Sequence, residues 1–152
     1  MSCLWSTALS NGSFTTGSVK SQLDGGFLYI FSTNAGTIPA SADAAVDASA
    51  VLLCKISLTG GATGLTFATP AVNGVLSKTA SEAWKGTNAA SGNAAFWRFC
   101  ANSADDGTTA DTTFIYPRVQ GTCGVDSSAE MILPSVALVS GAEQDINLFN
   151  LS

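Results

Sequence analysis

The sequence predicts an all-β domain, a jelly-roll-like antiparallel β-sandwich with one short Ala-rich helix. Three observations point there. About eight short runs have strand character, with turns between them. Helix signals are few. The 152 residues suit one domain around one hydrophobic core.

The first segment, "MSCLWSTALSNGSFTTGS" (1–18), is rich in Ser and Thr yet carries Leu4, Trp5, Leu9 and Phe14. A free tail seldom leaves Trp and Leu in water. The segment is therefore expected to be an outer strand of the domain or an arm docked on a neighbour, with 19–152 forming a single β-sandwich domain. "GFLYIFS" (26–32) alternates Phe27, Tyr29 and Phe31 with Leu28 and Ile30. "PASADAAVDASA" (39–50) is the helix candidate, with Ser41 able to cap the first turn and Asp43 suited to its positive end. "VLLCKISL" (51–58) reads as a strand, followed by the turn "TGGATG". "LTFATP" (65–70) and "GVLSK" (74–78) are shorter strands. In "EAWKGTN" (82–88), Trp84 is expected to plug the end of the sandwich. "AAFWRFCA" (94–101) is a strong strand. "TTFIYPRVQGTCG" (112–124) is a strand broken or bulged at Pro117. "EMILPSVALV" and "QDINLFNLS" close the chain.

Composition excludes several classes of function. The net charge is −5, with six Lys and Arg, no two of them adjacent. Phosphate neutralisation needs clustered cations, so neither nucleic acid nor an anionic membrane is an expected partner. No run approaches the roughly 20 apolar residues of a membrane span, and Met1–Ser10 has no secretory pattern. The chain is expected to be made and used in the cytosol. Charged residues are 11% of the chain, against about 25% in ordinary soluble domains. Such a surface is cheap to desolvate, which fits an assembly subunit and also a plain Ser/Thr-rich β-protein.

Catalytic patterns are absent. There is no histidine, which removes the commonest general base and metal ligand. No Ser lies in a Gly-x-Ser-x-Gly or Ser-x-x-Lys pattern, and "WKGT" has its Lys before the Gly, unlike a P-loop. Glu82, Glu130 and Glu143 have no context marking a glycosidase pair. Asp105, Asp106 and Asp111 surround Gly107, but the first two are adjacent and point apart. A solvated hairpin loop with an Asp-Gly turn is expected there rather than a calcium site. Cys3, Cys54, Cys100 and Cys123 form no Cys-x-x-Cys, and Cys54 and Cys100 are expected to be buried free thiols. No cofactor or metal is expected, and the chain is read as a non-enzyme. Trp5, Trp84 and Trp97 could form a carbohydrate-binding face, though core packing is the simpler fate of each.

One strand poses a problem of cover. Alternation puts Phe96 and Arg98 on one side of "FWRF" and Trp97 and Phe99 on the other. A two-layer domain offers a core to only one side. If Arg118 lies on the neighbouring strand, the second face is an apolar, Arg-marked patch too large to leave bare. The Ala-rich helix, a long loop or a second subunit could cover it, and Glu130 or Asp145 could pair an Arg. The expected interface residues are Leu4, Trp5, Phe96, Arg98 and Arg118, with one Arg paired inside the subunit.

The ordered motifs "PASADAAVDASAVLLCKISL", "GLTFATPAVNGVLSKTASEAWKGTNAASGNAAFWRF", "YPRVQGTCG" and "LVSGAEQDINLF" resemble a family of small virion-structure proteins of tailed bacteriophages. The similarity covers most of 27–149. It rests on the Ala/Asp segment, Leu65 and Phe67, Trp84 with Gly86-Thr87, Phe96 with Arg98, and 118–121. "DDGTTADTTFIY" is longer than that pattern, so the loop 105–111 is particular to this chain. The resemblance implies a capsid cement or decoration protein on the outer surface of the virion. Such a protein binds across major capsid protein subunits and stabilises the head shell, in contact with copies of itself as a dimer or trimer. It implies no cofactor and no catalytic residue. Two alternatives stay open: a tail, neck or adaptor structural protein, and a carbohydrate-binding β-sandwich of a receptor-binding spike.

Overall fold

The computed structural model describes residues 3–33 and 37–152. In chain order the elements are β1 (Leu4–Trp5), α1 (Thr7–Thr15), α2 (Val19–Leu23), β2 (Phe27–Phe31), β3 (Leu52–Leu58), β4 (Leu76–Ser77), β5 (Trp84–Thr87), β6 (Gly92–Asn93), β7 (Phe96–Cys100), β8 (Arg118–Gly124), β9 (Met131–Ile132), β10 (Ala137–Leu138), β11 (Glu143–Ile146) and β12 (Asn150–Leu151). The main sheet runs β1-β8-β7-β2-β3-β5-β11, all antiparallel, and β9 adds to β8 in parallel. Two small ribbons, β10–β6 and β12–β4, stand apart from it. The chain is an all-β sandwich, as expected.

The central strands β2 and β7 are buried on both faces. Leu28, Ile30, Trp97 and Phe99 point into the larger core, where Phe67, Trp84 and Phe149 meet them. Phe27, Tyr29, Phe31, Phe96 and Cys100 form a second, smaller core on the other face. The register explains its stacking: Phe31 sits opposite Phe96, and their rings are parallel at 5.0 Å. Each large side chain so buried contributes about 1.5–3 kcal/mol. Trp84 is fully buried, lies edge-on to Phe67 at 5.5 Å, and donates its indole N–H to Glu82 at 2.8 Å.

The helix is where sequence and structure part. Residues 39–50 make isolated turns, and Ser41 caps only one of them by accepting from the Ala44 N–H. The carbonyls that a helix would use internally point instead at side chains of the sheet. One helix, α1, lies in the Ser/Thr-rich first segment, and α2 follows directly after it. Ser6 caps α1 and Ser18 caps α2 through their hydroxyls. Of residues 1–18, Leu4–Trp5 is an edge strand, Thr7–Thr15 is helical, and residues 1 and 2 lie outside the described part. Leu9 and Leu23 anchor the two helices in the large core. Pro117 ends a loop, and β8 begins only after it.

Glu82 shows how loops are tied to this core. Burial works to raise its pKa, but hydrogen bonds from the Thr66 N–H, the Thr66 hydroxyl and the Trp84 indole, with Lys78 nearby, hold it below the usual carboxylate range. Glu130 and Asp111 are also lowered: burial opposes this, while Thr122 bonds the first and Tyr116 and Thr113 bond the second. A carboxylate with a lowered folded pKa stabilises fully above its unfolded value, about 4, and loses that contribution as pH falls through the folded one. Because there is no histidine, stability is expected to be flat from about pH 5 to 8 and to fall below about pH 4. Trp fluorescence followed through an acid titration checks this. A midpoint above about pH 5 would contradict it, and Glu82→Gln should flatten the acid limb.

Candidate functional site

The second face of β7 is covered by the chain itself. Across β2, β7 and β8 the register places Tyr29 beside Arg98 and Arg98 beside Gln120, with Cys100 beside Arg118 in the next row. Arg98 and Arg118 are fully buried. Two loops lie over them, the strap 37–51 and the loop 102–117.

Among the described residues Arg98 has no carboxylate partner. Its Nε donates to Gln120 Oε1 at 3.1 Å, its Nη1 to the carbonyls of Gly107 and Ala44 at 2.6 and 2.9 Å, and its Nη2 to Ser41 O at 3.2 Å. Gln120 is held in turn by donating Nε2 to Pro39 O at 2.7 Å. Arg118 grips Asp105 with both arms, Nε to Oδ2 and Nη2 to Oδ1, each at 2.6 Å. Its Nη1 donates to Thr109 O at 2.9 Å and Ala42 O at 3.3 Å. Burial and the neighbouring Arg118 cation push the Arg98 pKa down to about 10, leaving it charged at neutral pH. Burial opposes the charge of Arg118 too, but Asp105 more than offsets it and the pKa lies above the ordinary value. Strap and loop also bind each other, Val46 N–H to Thr108 O and Asp111 N–H to Asp43 O, both at 2.8 Å.

The first segment is locked to the same assembly. The Asp43 carboxylate accepts from the Thr7 N–H and hydroxyl, at 2.9 and 2.7 Å, placing a negative charge at the start of α1. Ser6 is buried and bonds Tyr116 O, the Leu9 N–H and the Arg118 N–H through one hydroxyl. The network joins strap, loop and first segment to the sheet, and its groups are committed to holding them.

The structure therefore revises three of the five expected interface residues. Phe96, Arg98 and Arg118 lie inside the subunit, because two loops of the same chain cover the patch for which a helix, a long loop and a second subunit were all open. The paired Arg is Arg118, and its partner is Asp105 rather than Glu130 or Asp145. Glu130 bonds Thr122, and Asp145 lies 3.9 Å from Lys85. Nor is the loop at Asp105 a solvated hairpin. Asp105 and Asp111 are buried, and the carboxylates turn three ways: Asp105 to Arg118, Asp106 to Thr108 and Asp111 to Tyr116. Among the described residues no three metal-ligating side chains converge. All four cysteines are free, with Cys54 and Cys100 buried; burial pushes the Cys54 pKa up to about 11. Trp84 and Trp97 are both buried, so the three tryptophans form no common binding face.

Leu4 and Trp5 remain at the surface, on the edge strand β1. The two borders of the sheet differ. At β11, Glu143 and Asp145 flank Lys85, which bonds Glu143 at 2.9 Å, and such charges discourage edge-to-edge pairing. Residues 1–19 and 112–117 contain no charged side chain at all. They meet along a groove of about 450 Å³ between α1 and the loop, lined by Asn11, Thr15, Phe114, Ile115 and Pro117 among others. Phe114 and Ile115 on its wall are exposed, and so is Phe14 elsewhere on α1. Phe14 stood out in the sequence as an aromatic in a polar segment. Asp105, Gln120, Asp43 and Ser6 gave no local signal of their roles. Comparison of the chain with family models, curated proteins and solved structures finds no match.

Proposed function

We propose that this chain is a structural subunit of a bacteriophage particle, a capsid cement or decoration protein that binds across major capsid protein subunits on the outside of the shell. The observation that carries the reading is that the segments 1–19 and 112–117 carry no charged side chain and expose five large hydrophobic residues, Leu4, Trp5, Phe14, Phe114 and Ile115. Single exposed apolar side chains are ordinary, but segments that combine them with no charged side chain of their own are suited to burial against protein. The arginine network supports the same reading. It fixes the long loops to the sheet, so little loop freedom is left to be lost on binding. The sequence resemblance supplies the phage context.

The work of such a subunit is mechanical. Many contacts, each burying apolar area at about 25 cal/mol per Å², add up over the copies on a shell. No group is required to activate a substrate.

Quantitative gel densitometry of purified particles tests this. Copies in near-stoichiometric proportion to the major capsid protein are expected. A handful per particle would instead favour the tail, neck or adaptor reading. Absence from particles would overturn the proposal.

A further inference from the structure

We infer that the groove between α1 and the loop 102–117 is a saccharide site, suited to a chain of neutral hexoses, with the Phe114 ring as its stacking platform and side-chain amides as its hydrogen-bonding wall. The site goes beyond the reading as a shell subunit and does not rest on it. It assigns Phe114 and Ile115 to a ligand and leaves Leu4, Trp5 and Phe14 to the shell. None of the three tryptophans lines it.

Two local costs meet on this groove. Phe114 has a φ of +55°, a left-handed conformation that side chains with a Cβ rarely adopt. Its turn is fixed by buried Asp111, whose carboxylate accepts from the Thr113 hydroxyl at 3.2 Å and the Tyr116 N–H at 2.8 Å, on either side of Phe114. The strained residue gives the fold little in return, since it stays 48% exposed. On the other wall, α1 carries Gly12 in its interior, where glycine is a poor helix former. A Cβ there would stand 1.9 Å from Gln22 Oε1, so the glycine lets the Gln22 carboxamide lie against the helix. Phe114, Gly12 and Gln22 all line the groove. Strain and local misfits of this kind gather where a protein binds.

The lining selects the ligand. The groove of about 450 Å³ adjoins, at Gln22 and Pro117, a second of about 370 Å³ that Asn102 and Ser103 line. Each is in the size range of small-ligand sites. Gln22 is set by donating Nε2 to Gly17 O and to the Ser13 hydroxyl, both at 3.3 Å, which leaves Oε1 to accept. Asn102 Oδ1 accepts from the Ala104 N–H at 2.9 Å, which leaves Nδ2 to donate. The Thr15 hydroxyl bonds the Asn11 backbone carbonyl. Among the described residues the Asn11 carboxamide bonds no protein group, so both its ends can reach a ligand. Sugar hydroxyls both donate and accept, as these amides do. The C–H face of a hexose ring, slightly positive, stacks on the negative face of an aromatic ring. The lining holds no Lys or Arg to pair with an acidic sugar. Lys20, on α2, lines a different cavity and pairs with Asp24. A peptide strand would find no sheet edge to extend, because the walls of the larger groove are helix and loop.

Titration calorimetry of the full chain with maltohexaose, cellohexaose, mannohexaose and galactohexaose tests this, with hexagalacturonate as the acidic control. At least one neutral chain is expected to bind with Kd below about 1 mM, and at least about tenfold more tightly than hexagalacturonate. Phe114→Asn is expected to weaken that binding at least about tenfold. It should keep Tm within about 2 °C of wild type, because asparagine accepts a positive φ better than phenylalanine does. Phe114→Tyr should retain binding within about threefold, and Asn11→Ala should weaken it by more than about threefold. Leu148→Ser, at an exposed leucine outside the groove, should leave it unchanged. Should Phe114→Asn melt early, Asn11→Ala and Phe114→Tyr carry the test. No binding of any neutral chain, equal binding of hexagalacturonate, or full binding by Phe114→Asn would overturn the inference. Incorporation into particles separates this site from the cement reading. A wild type that binds sugar but never joins particles leaves the site standing and removes the cement reading. A chain that joins particles, binds no sugar and loses its place through Phe114→Asn has a protein contact in the groove, and the saccharide site is removed.

Discussion

Asp105→Ala is expected to cost about 3–5 kcal/mol of folding stability and to lower Tm by on the order of 10 °C. Among the described residues this carboxylate is the only anion bonded to either buried guanidinium. Its loss leaves Arg118 and Arg98 as neighbouring uncompensated cations, and Arg118 already depresses the Arg98 pKa. A buried charge stripped of its partner costs far more than the pair is worth, because the desolvation penalty stays while the attraction goes. The loss should also release the loop 102–117, whose Thr109 carbonyl is held by the same guanidinium. Thermal melts, with limited proteolysis near Phe114, measure both effects.

The paired variant Asp105→Ala with Arg118→Met discriminates further. Where an ion pair stands alone, replacing both partners with apolar groups is often close to neutral. Here Arg118 also satisfies the carbonyls of Ala42 and Thr109, so the double variant is expected to recover only part of the loss. Full recovery would mean that the strap and loop do not depend on the guanidinium. An Asp105→Ala protein melting within about 2 °C of wild type would mean that the pair is not buried as described.

The strands most legible in the sequence are those that physics marks twice. The alternation in "GFLYIFS" and "FWRF" named both faces correctly, because burial on both sides leaves an unbroken apolar run with opposite residues on opposite sides. Pro117 was legible as a break because it has no N–H to give a ladder. The strap was not. Its alanines favour a helix, but Arg98, Arg118 and Gln120 take the carbonyls of Pro39, Ser41, Ala42 and Ala44 from at least 54 residues away. No local window contains that competition. The reverse holds for α1, whose Thr, Ser, Asn and Gly are weak helix formers. It is held by Ser6, by Asp43 from the strap and by the burial of Leu9. Alternation also placed Phe96 and Arg98 on a face needing cover, yet it could not say that the cover comes from the same chain. That depends on how two loops fold back, which strand periodicity does not encode. Leu4 and Trp5 stood out because nothing in a polar segment explained them, and they are exposed.

Gly86→Ala is expected to be the most disruptive single methyl in the chain's sheet, with a loss of about 3 kcal/mol or more. An added Cβ would stand 2.1 Å from the Lys55 carbonyl oxygen, 2.9 Å from Cys54 Sγ and 3.0 Å from the Lys55 carbonyl carbon. The nearest obstacle is backbone, so no rotamer change relieves it. Strand β5 cannot simply shift either. It pairs with β3 on one side, at Ser57 with Lys85, and with β11 on the other, at Gln144 with Gly86. Trp84, two residues away, is fixed in the large core and bonded to Glu82. The methyl therefore either wedges β5 and β11 off the sheet or drags Trp84 from its seat, and both should red-shift Trp emission and lower Tm by on the order of 10 °C. Gly74 supplies the comparison. Its φ is +77°, but no atom lies within 4 Å of the position a Cβ would take. Gly74→Ala thus meets backbone strain without collision and should cost only about 1 kcal/mol. If the two variants melt together, β3 and β5 do not cross as closely as described.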